Sequence, residues 1–503
     1  MKRLFFNGTI ITMTGQPAEA VLTQDGTIVA AGALDALGCT DAARYDLQGQ
    51  TLLPAFLDAH SHLSSYAASF LQVSLAGADR VEAIQSRLSD WIEQQPPGDT
   101  GWVIATAYDD SLLPPDERLD RAALDAVSRA HPIVVQHQSG HSSVWNSTAA
   151  ALLGLHARAG QLAERDHMAA LQRIPLPSVT VLGERCVQAQ RRYLAHGIVH
   201  VQEGLLVGSL LPLYQHLIEH DLLLLDTVVY PDMQTFDACK ARFPQAIGRY
   251  HRHMRIGGIK IMLDGSPQSR TAWVRTPYRG TNDCGRSTLS DAAVCAAIRK
   301  ALVEQVQLLA HCNGDQAIEQ FLRALEQFDR AVIRQLRPVL IHAQLLRADQ
   351  LDRVKALGAI PSFFIGHIYH FGDTHIEQLG LARASRISPA RAALDKGIRF
   401  TFHQDTPVIA PDVLETLWCA TCRRTKSGIV LGAQERIGCL DAIRAQTSNV
   451  AAQYGEQRHK GSIAPGKRAD LVVLGGDILR TDPDRLRTLP LTDVFCSTVP
   501  RPD

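Results

Sequence analysis

The stretch LLPAFLDAHSHL, Leu52 to Leu63, decides the reading of this chain. An apolar run of strand character ends in Asp58, His60 and His62, and alternate strand residues face the same side. Two imidazoles on one face at a strand end can share one metal ion, with Asp58 one step behind as an acceptor for a ligand ring. Alone, an HxH is a weak signal. His251-Arg252-His253 has the same spacing, but it lacks an apolar lead-in, lies beside Arg255 and reads as solvated surface.

Working outward, strand-like and helix-like segments alternate, the signature of β/α units on a parallel sheet. The strand candidates are Leu53–His62, Gly197–Glu203, Leu223–Tyr230, Gly257–Leu263, Gln307–Cys312, Pro338–Ala343, Ala359–Phe364 and Arg399–Asp405. Helical patterns fall between most of them, at Asp291–Glu304, Gln316–Phe328, Ala348–Leu357 and Ser388–Lys396. Eight such units predict a (β/α)8 TIM barrel over residues 54–455. A span of about residues 80–185 is too long for one connection and reads as an insertion near the active site. Its strand-like Trp102–Tyr108 and Pro132–His137 compete with Gly197–Glu203 and Leu223–Tyr230 for barrel positions two and three. Both chain ends read as β, so residues 1–53 and 456–503 are expected to form one small composite β-sandwich domain.

Other metal-capable residues fall at the same place in later units. His311 ends VQLLAH, His342 ends PVLIH, Asp405 ends RFTFHQD, and Lys260 sits inside GGIKIML. Active sites of β/α barrels gather at the C-terminal strand ends, so these residues are expected to meet. Lys260 is the oddity, because an ammonium among apolar neighbours and beside other cations is costly. As a carbamate it becomes an anionic donor able to bridge two metals; the alternative is an ion pair with Asp264 or Asp405.

Composition narrows the partners. Lys plus Arg (51) equals Asp plus Glu (51) across 503 residues, so the basic footprint of a nucleic-acid binder is missing. No apolar run approaches the roughly 18 residues of a membrane span. The opening MKRLFFNGT turns polar before an apolar h-region forms, so no signal peptide is expected. The 10 scattered Cys then read as reduced thiols, and the expected location is cytoplasmic. Cys419 and Cys422 form a lone C-x-x-C on the helical Leu414–Arg424, without the second pair a zinc site needs.

The chain resembles the amidohydrolase superfamily, in particular the branch with N-substituted formamide deformylases. The resemblance rests on LLPAFLDAHSHL, on GGIKIMLDGSPQSRTAW, on HCNGDQA at 311–317, HAQ at 342–344 and HQDTPV at 403–408, and on the closing KGSIAPGKRADLVVL at 460–474. It implies the barrel and terminal β-sandwich, with one or two divalent metal ions, zinc first. His60 and His62 would bind the more buried metal, His311 and His342 the second, carboxylated Lys260 would bridge them, and Asp405 would ligate and handle the proton. Two departures stand out. Gln404 occupies a place where many relatives have a small residue or Asn, and LTDVFCSTVPRPD lacks the Gly-containing final hairpin, which puts the last sandwich strand in question.

The chemistry this implies is hydrolysis of a non-peptide C–N bond, amide-type, in a small molecule. A metal-activated water would attack, with Asp405 as general base and then acid. A mononuclear-metal decarboxylase or lyase is the alternative enzyme class, and a non-catalytic scaffold the third. Further substrate-binding candidates are Gln202, with Glu203 beside it, then His141, Arg270, Trp273 and His370; His367 and His403 are neighbours of interest. Asn146 and Ser147 read as caps of a helix over Thr148–Leu155. Dimerisation is common in similar enzymes, so the resemblance implies a homodimer.

Overall fold

Short aliphatic runs bounded by turn residues become parallel strands in the unit made of Met1–Leu63 and Ala189–Asp503. His200–Leu206, Asp226–Pro231 and Met254–Ile256 pair in that order. Gly258–Met262, Gln307–Cys312, Val339–His342, Ile360–Phe363 and Thr401–Phe402 form a second parallel sheet. A parallel bridge from Asp232 to Lys260 links the two sheets. Helices connect successive strands, as parallel pairing requires. Asp291–Glu304 illustrates the local causes. The Ser290 side chain accepts from the Ala293 N–H, Asp291 faces the positive end of the helix, and Gln305 leaves in the left-handed region with φ 55°. The computed structural model describes residues 1–37, 41–94, 99–137, 142–155, 160–171 and 173–499.

The first expected strand, Leu53–His62, does not exist as one element. Only Thr51–Pro54 is a strand, and it pairs antiparallel with Leu471–Leu474. Beyond Pro54 the backbone changes partner. Phe56 N bonds Gly197 O at 2.9 Å, Val199 N bonds Phe56 O at 3.0 Å and Asp58 N bonds His200 O at 3.0 Å. One continuous apolar run therefore serves two sheets, with Pro54 at the break. The predicted Arg399–Asp405 strand shrinks to Thr401–Phe402, because Asp405 already has a positive φ of 53°.

The two chain ends supply two further sheets. Thr27–Gly32, Ala20–Gln24, Lys2–Phe6 and Ala43–Asp46 form one; Thr9–Ile10, Thr51–Pro54, Leu471–Leu474 and Leu491–Phe495 form the other. Phe5, Val21 and Ile28 from the first meet Leu52, Leu471, Val473 and Phe495 from the second in one buried cluster. The segment Leu491–Phe495 thus is a strand, although its sequence lacks a final glycine hairpin. Buried Lys460 ties this end to the parallel sheet through Asp226 at 3.0 Å and Glu456 at 2.7 Å. His253 also pairs with Asp226, at 3.0 Å, so the second HxH is not simply solvated surface.

Residues Ser64–Gln188 form the other unit, wider than the insertion expected at about 80–185. Its mixed sheet runs Gln161–Ala163, Ser142–Trp145, Ile133–His137, Val103–Tyr108, Gln72–Ser74. Two of the four competing strand candidates therefore belong here, and Gly197–Glu203 and Leu223–Tyr230 correspond to the strands of the parallel sheet. The helix Ser147–Leu153 is capped by Asn146, whose side chain accepts from Ala149 N. Among the described residues no helix is long and apolar enough to cross a membrane.

Candidate metal centre

Four imidazoles and a carboxylate from distant segments converge. His60 Nε2 and His62 Nε2 each lie 3.4 Å from Asp405 Oδ1, and His342 Nε2 lies 4.0 Å from Asp405 Oδ2. His342 Nε2 is 3.0 Å from His311 Nδ1, and Lys260 Nζ is 3.1 Å from His60 Nε2. His60 and Lys260 are each only 1 % exposed. Among the described residues no carboxylate oxygen lies within 4.0 Å of the Lys260 ammonium, although the charge of Asp405, one of the two acids named as its alternative partners, is felt there.

The backbone builds this convergence in ways a pleat does not. In the sheet register His342 is level with Cys312, whereas His311 is level with Ile341. A regular strand would send the two rings to opposite faces. His342 instead has φ 70° and Ala343 φ 47°, and the turned strand end brings the ring onto His311. Non-glycine residues held in this region cluster at functional sites.

Hydrogen bonds decide which ring nitrogens are bare. Tyr454 donates to Asp58 O (2.8 Å), so it accepts from Gln202 Nε2 (2.7 Å), which also donates to Ala59 O (3.1 Å). Gln202 Oε1 must then accept from His60 Nδ1–H, 2.6 Å away, leaving His60 Nε2 with a free lone pair toward Lys260 and Asp405. His311 Nε2 faces the Gly265 carbonyl at 3.0 Å and carries the hydrogen, so its Nδ1 is bare toward His342. His403 bridges His342 Nδ1 (3.1 Å) and the Ser362 hydroxyl (2.9 Å). Glu203 accepts from Tyr214 at 2.9 Å and points Oε1 at His62 Nδ1, 3.7 Å away.

Electrostatics follow from burial. Burial holds the His60 and His342 imidazoles well below the ordinary histidine range and His311 near 4. Burial pushes His62 down too, but Asp405 and Glu203 outweigh it and raise the ring to about 9. Burial also brings the Lys260 ammonium down to about 7. For Asp405 burial works upward, yet the surrounding imidazoles hold the carboxyl well below its usual range.

The donor set fits a divalent cation. His60, His62 and Asp405 offer ligand atoms within 4.8 Å of one another, and Asp405 Oδ1 is buried without a hydrogen-bond partner. The protonated His62 ring faces this oxygen at 3.4 Å, the place a divalent cation would take over. Gly204 completes the cradle, since a Cβ there would lie 2.3 Å from His60 Cε1. Asp109, Asp110 and His137 in the other unit also come within 4.8 Å, but Asp110 is 71 % exposed.

The remaining candidates fare differently. Gln202 is fully buried, its Nε2 donating to Ala59 O and Tyr454 and its Oε1 facing His60 Nδ1, so it orients the His60 ring. Asp58 also departs from expectation, accepting from the His60 backbone N–H at 3.2 Å and the Ser61 hydroxyl instead of a ring. His370 is held by Glu415 at 2.7 Å. Arg270 and Trp273 lie on the loop behind Asp264, and neither side chain makes a hydrogen bond or ion pair among the described residues. His141 lies outside the described residues. Gln404 Nε2 donates to the Thr416 hydroxyl at 2.8 Å. Sequence reasoning missed Tyr454 and the bracing role of Asp264, which accepts from the backbone N–H groups of Trp273, Asn313 and Gly314 at 2.7–2.9 Å.

A family model described as the amidohydrolase family matches residues 44–495. The chain belongs to the amidohydrolase family. It is 24 % identical to the amidohydrolase YtcJ of Bacillus subtilis over 98 % of this chain and 97 % of that protein. It is 25 % identical to the N-substituted formamide deformylase of Arthrobacter pascens, covering 96 % and 95 %. Among solved structures, an uncharacterized metal-dependent hydrolase of Pyrococcus horikoshii superposes with TM-score 0.82 at 22 % identity, covering 96 % of this chain and 99 % of that one. The corresponding Pyrococcus furiosus protein gives 0.79, also at 22 % identity, covering 95 % and 100 %. These two likenesses speak to fold.

Proposed function

We propose that this chain is a metal-dependent hydrolase that cleaves an amide-type, non-peptide C–N bond of a small molecule. The observation that carries the reading is the buried meeting of four imidazoles with a carboxylate whose Oδ1 lacks a hydrogen bond. His60, His62, His311, His342 and Asp405 would hold one or two divalent ions, zinc being the first choice for imidazole and carboxylate donors. When bound, such an ion supplies Lewis acidity and lowers the pKa of water toward neutrality. Lys260, which burial brings down to about 7, could take up carbon dioxide as a carbamate, an anionic donor that would help hold the ions.

The protein's own groups divide the work. Gln202 and Tyr454 keep the His60 hydrogen on Nδ1, away from the ligand face. Gly265 does the same for His311 through Nε2. Asp405, ionised and central, takes a proton from the attacking water and returns it to the leaving nitrogen. The substrate class we infer is an N-substituted amide such as a formamide, supported by likeness to the Arthrobacter enzyme.

The parallel strands suit a closed (β/α)8 barrel, supported by the Phe56–Ile198 and Asp232–Lys260 bridges and by the His62 N to Thr406 O bond of 2.9 Å between first and last segments. The two terminal sheets suit a β-sandwich around the Phe5 to Phe495 cluster. Metal analysis with formanilide hydrolysis in 18O water tests the function. Formate carrying 18O, lost on metal removal and restored by zinc, is expected; undiminished turnover in stripped protein refutes the reading.

A further inference from the structure

His403 takes no part in the chemistry above, yet it packs against two of the rings that would hold the ion. It is fully buried, and its backbone N–H donates to Phe363 O at 3.2 Å, which fixes it beside the end of the Ile360–Phe363 strand. Its ring centroid lies 5.1 Å from that of His342 and 5.3 Å from that of His60, edge-on to the latter at 86°. Both of its nitrogens are in contact. Nε2 lies 3.1 Å from His342 Nδ1, and Nδ1 lies 2.9 Å from the hydroxyl of Ser362. Ser362 is itself fully buried and level with Thr401 in the sheet.

The direction of these two hydrogen bonds is open only until His342 is assigned. A neutral imidazole has one hydrogen for two nitrogens. His342 turns Nε2 toward the site, 3.0 Å from His311 Nδ1 and 4.0 Å from Asp405 Oδ2. To hold a cation there it must carry its hydrogen on Nδ1, and the atom facing that nitrogen is His403 Nε2. Burial keeps the His403 ring neutral. With Nε2 accepting, the His403 hydrogen sits on Nδ1 and donates to the Ser362 hydroxyl oxygen. The opposite polarity, from Ser362 through His403 to His342, would leave a hydrogen on His342 Nε2 and close that nitrogen to any ion.

We propose that His403 and Ser362 are positioning residues for the His342 ligand: His342 Nδ1–H donates to His403 Nε2 and His403 Nδ1–H to Ser362 Oγ, which keeps His342 Nε2 bare and aimed at the ion. The assignment rests on the metal-dependent reading of the site. A ligand imidazole commonly gives its other N–H to a carboxylate, a backbone carbonyl or a water. His62 follows that pattern, with Glu203 Oε1 3.7 Å from its Nδ1. Behind His342 the acceptor is a neutral ring, which orients the ligand without the extra basicity that a carboxylate confers.

Two measurements test this. Long-range 1H–15N spectra of zinc-loaded 15N-histidine protein, assigned with His403→Gln and His342→Asn, are expected to show both rings protonated on Nδ1, with His403 Nε2 bare. A hydrogen on His403 Nε2 overturns the proposal. Zinc titration of stripped protein is the second readout. His403→Phe keeps an aromatic ring but accepts no hydrogen bond, so zinc affinity is expected to fall about 10–100-fold. His403→Gln, whose Oε1 can accept from His342, should recover most of that loss, and Ser362→Ala should cost about tenfold. Wild-type affinity in His403→Phe, or an equal loss in His403→Phe and His403→Gln, overturns the assignment. Where far-UV circular dichroism shows a variant unfolded, the wild-type spectrum decides. A wild type that binds zinc with His403 protonated on Nε2 leaves the hydrolase reading standing. One that neither binds zinc nor cleaves formanilide overturns that reading, and this assignment with it.

Discussion

Replacing Gly204 by Ala tests whether the His60 ring is held to the tolerance a metal needs. The added methyl would lie 2.3 Å from His60 Cε1, 2.6 Å from Nδ1 and 2.9 Å from Ser61 O. Carbon contacts relax near 3.5–4.0 Å, so the ring must retreat by about 1 Å. It cannot do so and keep the 2.6 Å bond to Gln202. Metal–ligand distances tolerate only about ±0.2 Å. Metal affinity should fall at least 10–100-fold, the range for disturbed ligand support, with about 1–3 kcal/mol of overpacking strain in the fold. Gly208→Ala is the control, since its Cβ would meet only Thr235 Oγ1 at 3.8 Å. Calorimetric titration of stripped protein with zinc, alongside far-UV circular dichroism, reads both effects. A folded Gly204→Ala variant that binds zinc as the wild type does refutes the ligand role of His60.

The remaining predictions are independent of that one. Asp405→Asn should retain bound metal in part yet lose formanilide turnover by at least 10²-fold, the span of a lost general base; full activity removes Asp405 from proton transfer. His62 holds a proton up to about 9 in the metal-free chain, so a cation must displace it. Zinc affinity should climb roughly tenfold per pH unit between pH 7 and 9 and flatten above, one proton being released per ion; a flat profile in titrations across buffers rules this out. The amine of Lys260, near 7, must be neutral to add carbon dioxide, so 13C-bicarbonate labelling should rise with pH through about 7 and vanish in Lys260→Ala. Tyr454→Phe deletes the hydroxyl that orders Gln202 and should weaken zinc binding about tenfold with the fold intact, as metal analysis after dialysis would reveal.

Most of the parallel strands were legible because burial on both faces demands continuous apolar runs, and Gln307–Cys312 matches residue for residue. The first run was misread because apolar character does not say which sheet a residue joins, and Pro54 divides it between two. The ends of later strands were overdrawn for a related reason. Left-handed backbone at His342, Ala343 and Asp405 leaves no trace in residue type, since none is glycine. Gln202 was placed at the right strand end, but its part in orienting His60 was not legible, because only its spatial neighbours Ala59 and Tyr454 reveal it.

Residue chemistry and spacing alone named the candidates for holding a cation, His60, His62, Lys260, His311, His342 and Asp405, because donor atoms and apolar lead-ins are written in the chain. Tertiary structure alone decided that these side chains meet and which nitrogen of the His60 and His311 rings is bare. Both depend on backbone twists and on partners such as Gly265, Tyr454 and Gly204. A hydrogen bond or a missing Cβ acts through distances of a few ångströms, and separation along the chain carries no information about those.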